Sequence, residues 1–502
     1  MSDTLTATSL SARPTFNEIP ADWHSPGTFL EVRPNYSNKG IAPIPTRVLL
    51  IAQARPGTPG LTLTPVQVTR RGQAAAMWGA GSVASEMADG FILANPFTEL
   101  WVLAIPDAAG ATAAVGHVVY AGAPSVNGTV MLHVGGRRIS VTALAASPAA
   151  SIAADMADAV NAIDDLPVVA SAAGANLSIT ARHGGALGNL IDLRTGLRVE
   201  DVLPPGMTAA YAAMAGGAGE IDITPALAAV ATQWFTDFGL AWADAANLGR
   251  MADDLARRYR AMGKLDGHAY VARRGTYDGL AAGAADYANS PFISPIGADR
   301  SPTSPWIWTA ALAGVCAFHL TNDPARQLRS LVLPGVIPPT DDYCFTDEEQ
   351  DQLLRHCIST WEKVVGQVVL ARVVTGYTQT TLGAADTAWL DIMVPKTMTR
   401  IRYDWLNYMS LTYPRCKLAP NGSLAEQYDA DGSVATPRRV HNSWGGRCKL
   451  YAARGWIINE RETIADSVFV IDPDDRNRLN TIQRVDQIGN LMVLAGALEF
   501  AA

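Results

Sequence analysis

Both ends of this chain read as strands with no partner nearby in sequence. Near the start, Phe16-Asn17-Glu18-Ile19-Pro20 leads through Ser25-Pro26-Gly27 into Thr28-Phe29-Leu30-Glu31-Val32. At the finish, Ile488-Gly489-Asn490 leads into Leu491-Met492-Val493-Leu494, then Ala497-Leu498-Glu499-Phe500. Proline and glycine cut each segment off from the body, so neither is easily an inner strand of a local hairpin. An apolar extended segment with free backbone groups is satisfied by completing a sheet edge, and another subunit can supply that edge by strand addition. Two such arms, Phe29, Leu30, Glu31 and Val32 on one and Leu491, Met492, Val493 and Leu494 on the other, point to a molecule that interlocks with copies of itself.

The 502 residues are enough for two to four domains at roughly 150 residues each. Apolar residues make up 48% and charged residues only 17%, a globular composition with a large core and a quiet surface of the kind an assembly buries. A net charge of −8 argues against general nucleic-acid binding. The charge is uneven, however. From Lys396 to Trp456 ten Lys and Arg face four acids, so that segment carries about +6 and the remainder about −14. Such asymmetry marks a docking face for an acidic partner, and Lys396, Arg400 and Arg402 are the cations expected to face it. Arg400 and Arg402 lie about 200° apart on an ideal helix, which leaves the face open.

Five cysteines without a CxxC pair suit a reducing compartment better than a disulfide framework or a zinc site. The N-terminus lacks a basic and an apolar region, so no signal peptide is expected. The longest apolar run, Thr309 to Leu320, is short of the ~20 residues of a membrane helix, and no membrane insertion is expected.

Along the chain, Arg47–Gln53 and Leu100–Ile105 are continuous apolar runs that read as buried strands, with helical spacing from Ala74 to Ala94 between them. From about residue 111 to 199 the pattern changes. Residues 116–120, 128–134, 137–141, 167–170 and 177–182 read as half-buried antiparallel strands, with Gly135-Gly136 as a hairpin loop and a helix opening at Ser147-Pro148. The main domain resumes near Met207, with helices at Thr224-Pro225 and Ala246–Met262 and strands at 268–272 and 292–296. A capping box at Thr346–Glu349 starts a helix read through Trp361, and a basic helix runs from Lys396 to Tyr413. The expected fold class is α/β in a multidomain α+β arrangement. It has a mixed or parallel core sheet flanked by helices (46–110 and 200–385), an inserted antiparallel β-rich domain (111–199) and a C-terminal α+β domain (386–480). Extended arms (1–45 and 481–502) complete it.

No catalytic constellation emerges. Asn442-Ser443-Trp444-Gly445 matches a tetrapeptide of papain-like proteases, but no cysteine stands in the matching context and no histidine lies between His356 and His441. Arg182-His183-Gly184-Gly185 lacks a nucleophile elbow. Gly79-Ala80-Gly81 and Gly216–Gly219 do not fit phosphate loops. Asp472-Pro473-Asp474-Asp475 lacks the glycine and closing glutamate of a calcium loop, and no two histidines stand at i, i+4. No cofactor, metal or catalytic residue is expected.

The order of parts resembles the tail sheath proteins of Mu-like contractile phages. The likeness rests on Phe16–Pro20 with Pro26-Gly27 and Glu31, and on the inserted module from Gly128 through Gly135-Gly136-Arg137-Arg138-Ile139 to Ala181–Gly185 and Gly188-Asn189. It continues in Arg372–Tyr377 with Asp386–Asp391, and in the basic helix and strand-like tail. The resemblance implies a structural virion protein: hexameric rings stacked helically around a tail tube, with arms woven between subunits. Such a sheath contracts to drive the tube through the host envelope. It implies the tube, baseplate and tail terminator proteins as partners, and the virion, after assembly in the host cytoplasm, as the location. A bacteriocin or secretion-system sheath is the near alternative. The family's core is sometimes described as subtilisin-like, which makes a hydrolase the distant one, yet no His-Gly-Thr or Gly-Thr-Ser-Met-Ala motif is present.

Overall fold

The computed structural model describes residues 24–29 and 40–499. The chain divides into residues 1–42 and 43–502. Of the first unit only 24–29 and 40–42 are described, and they contain no helix or strand. Phe29 is half exposed, whereas Leu30, Glu31 and Val32 lie outside the described residues.

The second unit opens with β1 (Arg47–Gln53), β2 (Val66–Val68), α1 (Gln73–Trp78), α2 (Val83–Ala94) and β3 (Glu99–Ile105). The helical spacing read from Ala74 to Ala94 is broken at Gly79 and Gly81, both at positive φ, and Ser82 caps the second piece by accepting from the Ser85 N–H. The insert follows as β4 (Ala113–Gly122), β5 (Gly128–Val134), β6 (Arg137–Ala143), α3 (Ala149–Asn161), β7 (Val168–Ala173), β8 (Asn176–Gly184) and β9 (Leu193–Arg194). Gly135 and Gly136, at φ 57° and 80°, make the two-residue β5–β6 turn, where only a left-handed backbone matches the strand twist. Pro148, one residue later than expected, caps α3, and no side chain caps it.

The next strand corrects the domain boundary. β10 (Met207–Ala215), assigned from sequence to the main domain, pairs antiparallel with β4 and completes the insert's four-stranded sheet, β10-β4-β8-β7. Its alanines on both faces give no alternation to read.

The main domain then supplies α4 (Thr224–Ala229), β11 (Asp237–Leu240), α5 (Ala245–Tyr259), β12 (His268–Arg274), α6 (Tyr277–Ala282), β13 (Ile293–Ala298) and α7 (Pro305–Asn322). The core sheet has the order β13-β12-β11-β1-β3-β2, parallel except for β2. Its inner strands are buried on both faces, which is why β1 and β3 read as unbroken apolar runs. Helix α7 is apolar almost all round because α2 and the sheet enclose it. Gly314 lets α2 approach α7: a Cβ there would stand 3.0 Å from the Ala94 Cβ and 3.3 Å from the Phe91 carbonyl oxygen. Among the described residues no helix is long and apolar enough to cross a membrane.

Helix α8 (Asp347–Arg355) begins at the expected capping box, with Thr346 and Glu349 reciprocally bonded. It does not reach Trp361. Cys357 turns left-handed at φ 59°, and Trp361 lies in β14 (Thr360–Val364), a hairpin with β15 (Gln367–Arg372). Ile358-Ser359-Thr360 favours strand, and Trp361 Nε1 donates to the Gly297 carbonyl of the core sheet. The C-terminal module contains α9 (Met393–Thr412), β16 (Lys417–Leu418), α10 (Leu424–Gln427), β17 (Val434–Ala435), α11 (Pro437–Ala453), α12 (Glu460–Ala465), and a hairpin of β18 (Val468–Ile471) with β19 (Leu479–Ile482).

Candidate assembly site

The basic helix α9 does not present its three expected cations to solvent. Lys396 Nζ reaches Asp237 Oδ1 at 2.5 Å and the Thr236 carbonyl at 3.2 Å, and only 14% of the side chain is exposed. Arg402 binds Asp266 through Nε at 2.9 Å, donates from Nη1 to the Tyr259 carbonyl and lies over the Tyr259 ring. Burial pushes Asp266 up from the ordinary carboxylate value, and the Arg402 guanidinium pulls it back. Arg400 stands between them, half-buried, its guanidinium carbon 5.8 Å from the Trp456 ring centre. Lys396 and Arg402 fasten α9 to the amino-terminal edge of the core sheet, where Asp237 and His268 begin β11 and β12. They do not form a solvent-facing stripe. Exposed cations of the module include instead Arg415, Lys417, Lys449 and Arg454.

Deeper in the module, Asp404 of α9 accepts from Arg447 Nε at 2.9 Å, from Arg447 Nη2 at 2.6 Å and from the Tyr451 hydroxyl at 2.5 Å. Both charges are almost fully buried. The Asn442–Gly445 tetrapeptide lies within α11, where His441 Nε2 bonds the Ile464 carbonyl and Trp444 is packed in the core. Asp472 accepts from the Asp474 and Asp475 amides, which makes the acidic run an ordinary turn between β18 and β19.

The C-terminal segment is fastened and then released. Gln487 Nε2 donates to the Met393 carbonyl. Asn490 accepts from the Gln327 amide and donates to the Ala325 carbonyl, and Gln327 Nε2 reaches the Leu491 carbonyl. Beyond that anchor, among the described residues, only Met492 packs against the core. Leu491, Val493, Leu494 and Leu498 are 69%, 80%, 85% and 99% exposed, and none of 491–499 belongs to a strand within the chain. Nearby in sequence, β18–β19 is, among the described residues, a sheet of only two strands with Val468, Val470 and Ile482 about half exposed. An isolated pair of strands is marginal and leaves both edges open.

The carboxyl end of the core sheet, where an open α/β fold ordinarily binds a ligand, is bonded to the insert. β1 leads to β3 on one side and β11 to β12 on the other, so the carboxyl ends of β1 and β11 flank the switch point. There Gln53 Nε2 donates to Asp107 Oδ1 at 2.6 Å and to the Gly184 carbonyl at 2.7 Å, while the Gly184 amide donates to Asp107 Oδ2. The insert is thereby bonded to the ends of β1 and β3. Its His183 stands edge-on to Trp306, and burial pulls the ring down to about 4, leaving it neutral. Three of the five thiols are buried, and burial pushes Cys357 up to about 11 and Cys448 to about 12, away from thiolate chemistry.

Trp306 Nε1 also donates to Glu86 Oε2 at 2.8 Å, at the seam between α2 and the insert's Arg137–Asp165 pair. Burial raises Glu86 from 4.5 to about 8; Asp165 adds to the rise, and the Trp306 bond and Arg137 oppose it. A folded-state value above the unfolded one gives stability that is complete below pH 4.5 and is lost as pH rises through 8. Residual water contact weakens the effect. Between pH 6 and 8 the wild type is expected to lose about 1–2 kcal/mol that Glu86→Gln does not, measured by urea midpoints at each pH. Equal pH slopes would refute the assignment.

Residues 216–375 match the family model described as the phage tail sheath protein central domain. Over 491 residues the chain is 26% identical to the Mu-like prophage FluMu tail sheath protein of Haemophilus influenzae, covering 97% of this chain and 99% of that one. Solved structures similar to it include the sheath tail protein of Listeria innocua (12% identity, 89% of this chain and 93% of that one, TM-score 0.48). The sheath tail protein of Desulfitobacterium hafniense is also similar (12% identity, 92% and 100%, TM-score 0.46). Residues 216–375 thus match the central domain of phage tail sheath proteins, and the chain as a whole is similar to a tail sheath protein. Within that class its near end-to-end similarity is to a Mu-like prophage sheath.

Proposed function

We propose that the chain polymerises as helically stacked hexameric rings around a tail tube, its arms joining sheets of neighbouring copies, and contracts without any catalytic step. The observation that carries this reading is the C-terminal segment: four large aliphatic side chains in water beyond a built anchor at Asn490, in a chain whose last hairpin has no further strand among the described residues. The arm supplies backbone groups and alternate apolar side chains, and β18–β19 of another copy supplies an edge. The N-terminal arm, Phe29 to Val32, takes the same role. The tube is met by the C-terminal module through exposed Arg415, Lys417, Lys449 and Arg454 instead of the inward-turned Lys396, Arg400 and Arg402. Baseplate and tail terminator proteins bound the polymer at its ends, and assembly takes place in the host cytoplasm before the sheath becomes part of the virion.

Contraction in this reading is a rigid-body repacking of subunits. Gly489 and the glycine and proline beside the N-terminal arm take up the rotation. The energy comes from a metastable extended lattice relaxing, and no nucleotide is consumed. Negative-stain microscopy of the purified chain tests the reading. Long hollow cylinders are expected without tube present, and discrete particles at every concentration would contradict it.

A further inference from the structure

Arg400 is a cation in search of an anion. Its Nε and Nη1 are shielded from water and have no hydrogen-bond partner among the described residues. The neighbouring buried or half-buried cations all have theirs: Lys396 has Asp237, Arg402 has Asp266 and Arg447 has Asp404. Burial disfavours the charge on Arg400 and Arg454 adds to that, whereas Asp404, whose carboxylate is bonded to Arg447, and the Tyr403 and Tyr451 hydroxyls partly oppose it. Guanidinium nevertheless stays protonated at any ordinary pH. A shielded, unpaired charge is destabilising in the lone subunit, so its place needs a reason.

The side chain lines a cleft between α9 and the amino-terminal edge of the core sheet, with Ile44, Thr46, His268, Lys396 and Thr399 among its walls. The space open to water is about 40 Å³. One water needs roughly 10–15 Å³ by this measure, so the cleft holds about three waters or one carboxylate and no nucleotide or sugar. Asp237 and Asp266 in its walls already neutralise Lys396 and Arg402, which leaves one positive charge to be met. Burial holds His268 well below its usual value, so it adds none.

We infer that the Arg400 cleft receives a carboxylate side chain carried by a second copy of this chain. This rests on the sheath reading. The source follows from charge: residues outside 396–456 carry about −14 against +6 within, so the acidic body of one copy complements the basic module of another. The site opens beside Ile44 and Thr46, where the chain passes into its N-terminal arm.

The test compares wild type with Arg400→Met and Arg400→Lys, full-length, at low salt. Below the critical concentration, Arg400→Met is expected to melt at or above the wild-type temperature, because an unpaired charge has been removed. Its critical concentration for sedimenting polymer should rise at least tenfold, about 1.4 kcal/mol, with Arg400→Lys in between. Sodium acetate should raise the wild-type critical concentration more than sodium chloride of equal strength and leave Arg400→Met unaffected. A lower melting temperature with an unchanged critical concentration would show that Arg400 is merely structural and overturn the proposal. Arg400-dependent stabilisation of the unassembled chain by acetate, with assembly unaltered, would assign the cleft to a solution anion and overturn it too. Failure of the wild type to polymerise at all would be the distinct result that removes the sheath reading itself.

Discussion

Removing residues 491–502 is expected to leave a folded, soluble subunit that no longer forms cylinders. Within its own chain the segment contributes little: Met492 packs against the core, and the Leu491 carbonyl accepts one hydrogen bond from Gln327. Those contacts are worth about 1–3 kcal/mol at most, so the melting temperature should fall by only a few degrees. In a polymer the balance reverses. Burying Leu491, Val493 and Leu494 yields roughly 1.5–3 kcal/mol each, and paired backbone groups add about 0.5–1.5 kcal/mol apiece. Ordering the strand costs about 1–2 kcal/mol per residue. The net gain is a few kcal/mol per contact, and each 1.4 kcal/mol moves the critical concentration about tenfold. A rise beyond a hundredfold is therefore expected, read by sedimentation and by microscopy of the same samples. Cylinders from the truncated chain at wild-type concentration would rule out the arm as the link.

The second large effect is inside the C-terminal module. Asp404→Ala strands Arg447, which is 3% exposed, without its carboxylate and deprives the Tyr451 hydroxyl of its acceptor. Breaking a buried pair on one side costs about 3–5 kcal/mol, whereas replacing both partners by apolar groups is often close to neutral. Asp404→Leu with Arg447→Met is therefore expected to recover most of the loss. A chain of several domains need not unfold in one step, so the measurement should follow a local probe. Trp444 and Trp456 report here, since Trp444 meets Trp405 edge-on at 5.2 Å and Trp456 stacks on Tyr451 at 5.8 Å. An Asp404→Ala midpoint equal to wild type would show that the pair is not the module's anchor.

Much of this architecture could be read from local pattern, and what escaped depends on distance or on alanine. The β1 and β3 runs, the Gly135-Gly136 hairpin and the Thr346–Glu349 box each carry their own physical cause within a few residues. β10 carries none, because Met207–Ala215 offers mostly alanine to both faces and is held as a strand by β4, some ninety residues earlier. The end of α8 was missed because the left-handed turn at Cys357 has no glycine to announce it. Charge was the most misleading signal. Helical spacing showed three cations on α9, but Asp237 and Asp266, which turn two of them inward, lie 159 and 136 residues away in sequence. At the C-terminus the apolar run after Gly489 was legible, and Leu491, Val493 and Leu494 of it stand exposed. Their partners cannot be read from one chain, because no other copy is encoded in local pattern.

The most direct measurement is a helical reconstruction of tube-free cylinders at a resolution that traces main chain. The account predicts that Leu491–Leu494 of one copy runs as an added strand hydrogen-bonded to the β18–β19 sheet of a different copy, while the core sheet keeps the register seen in the single chain. A reconstruction in which 491–494 folds back on its own subunit, or in which β18–β19 meets no foreign strand, would contradict it.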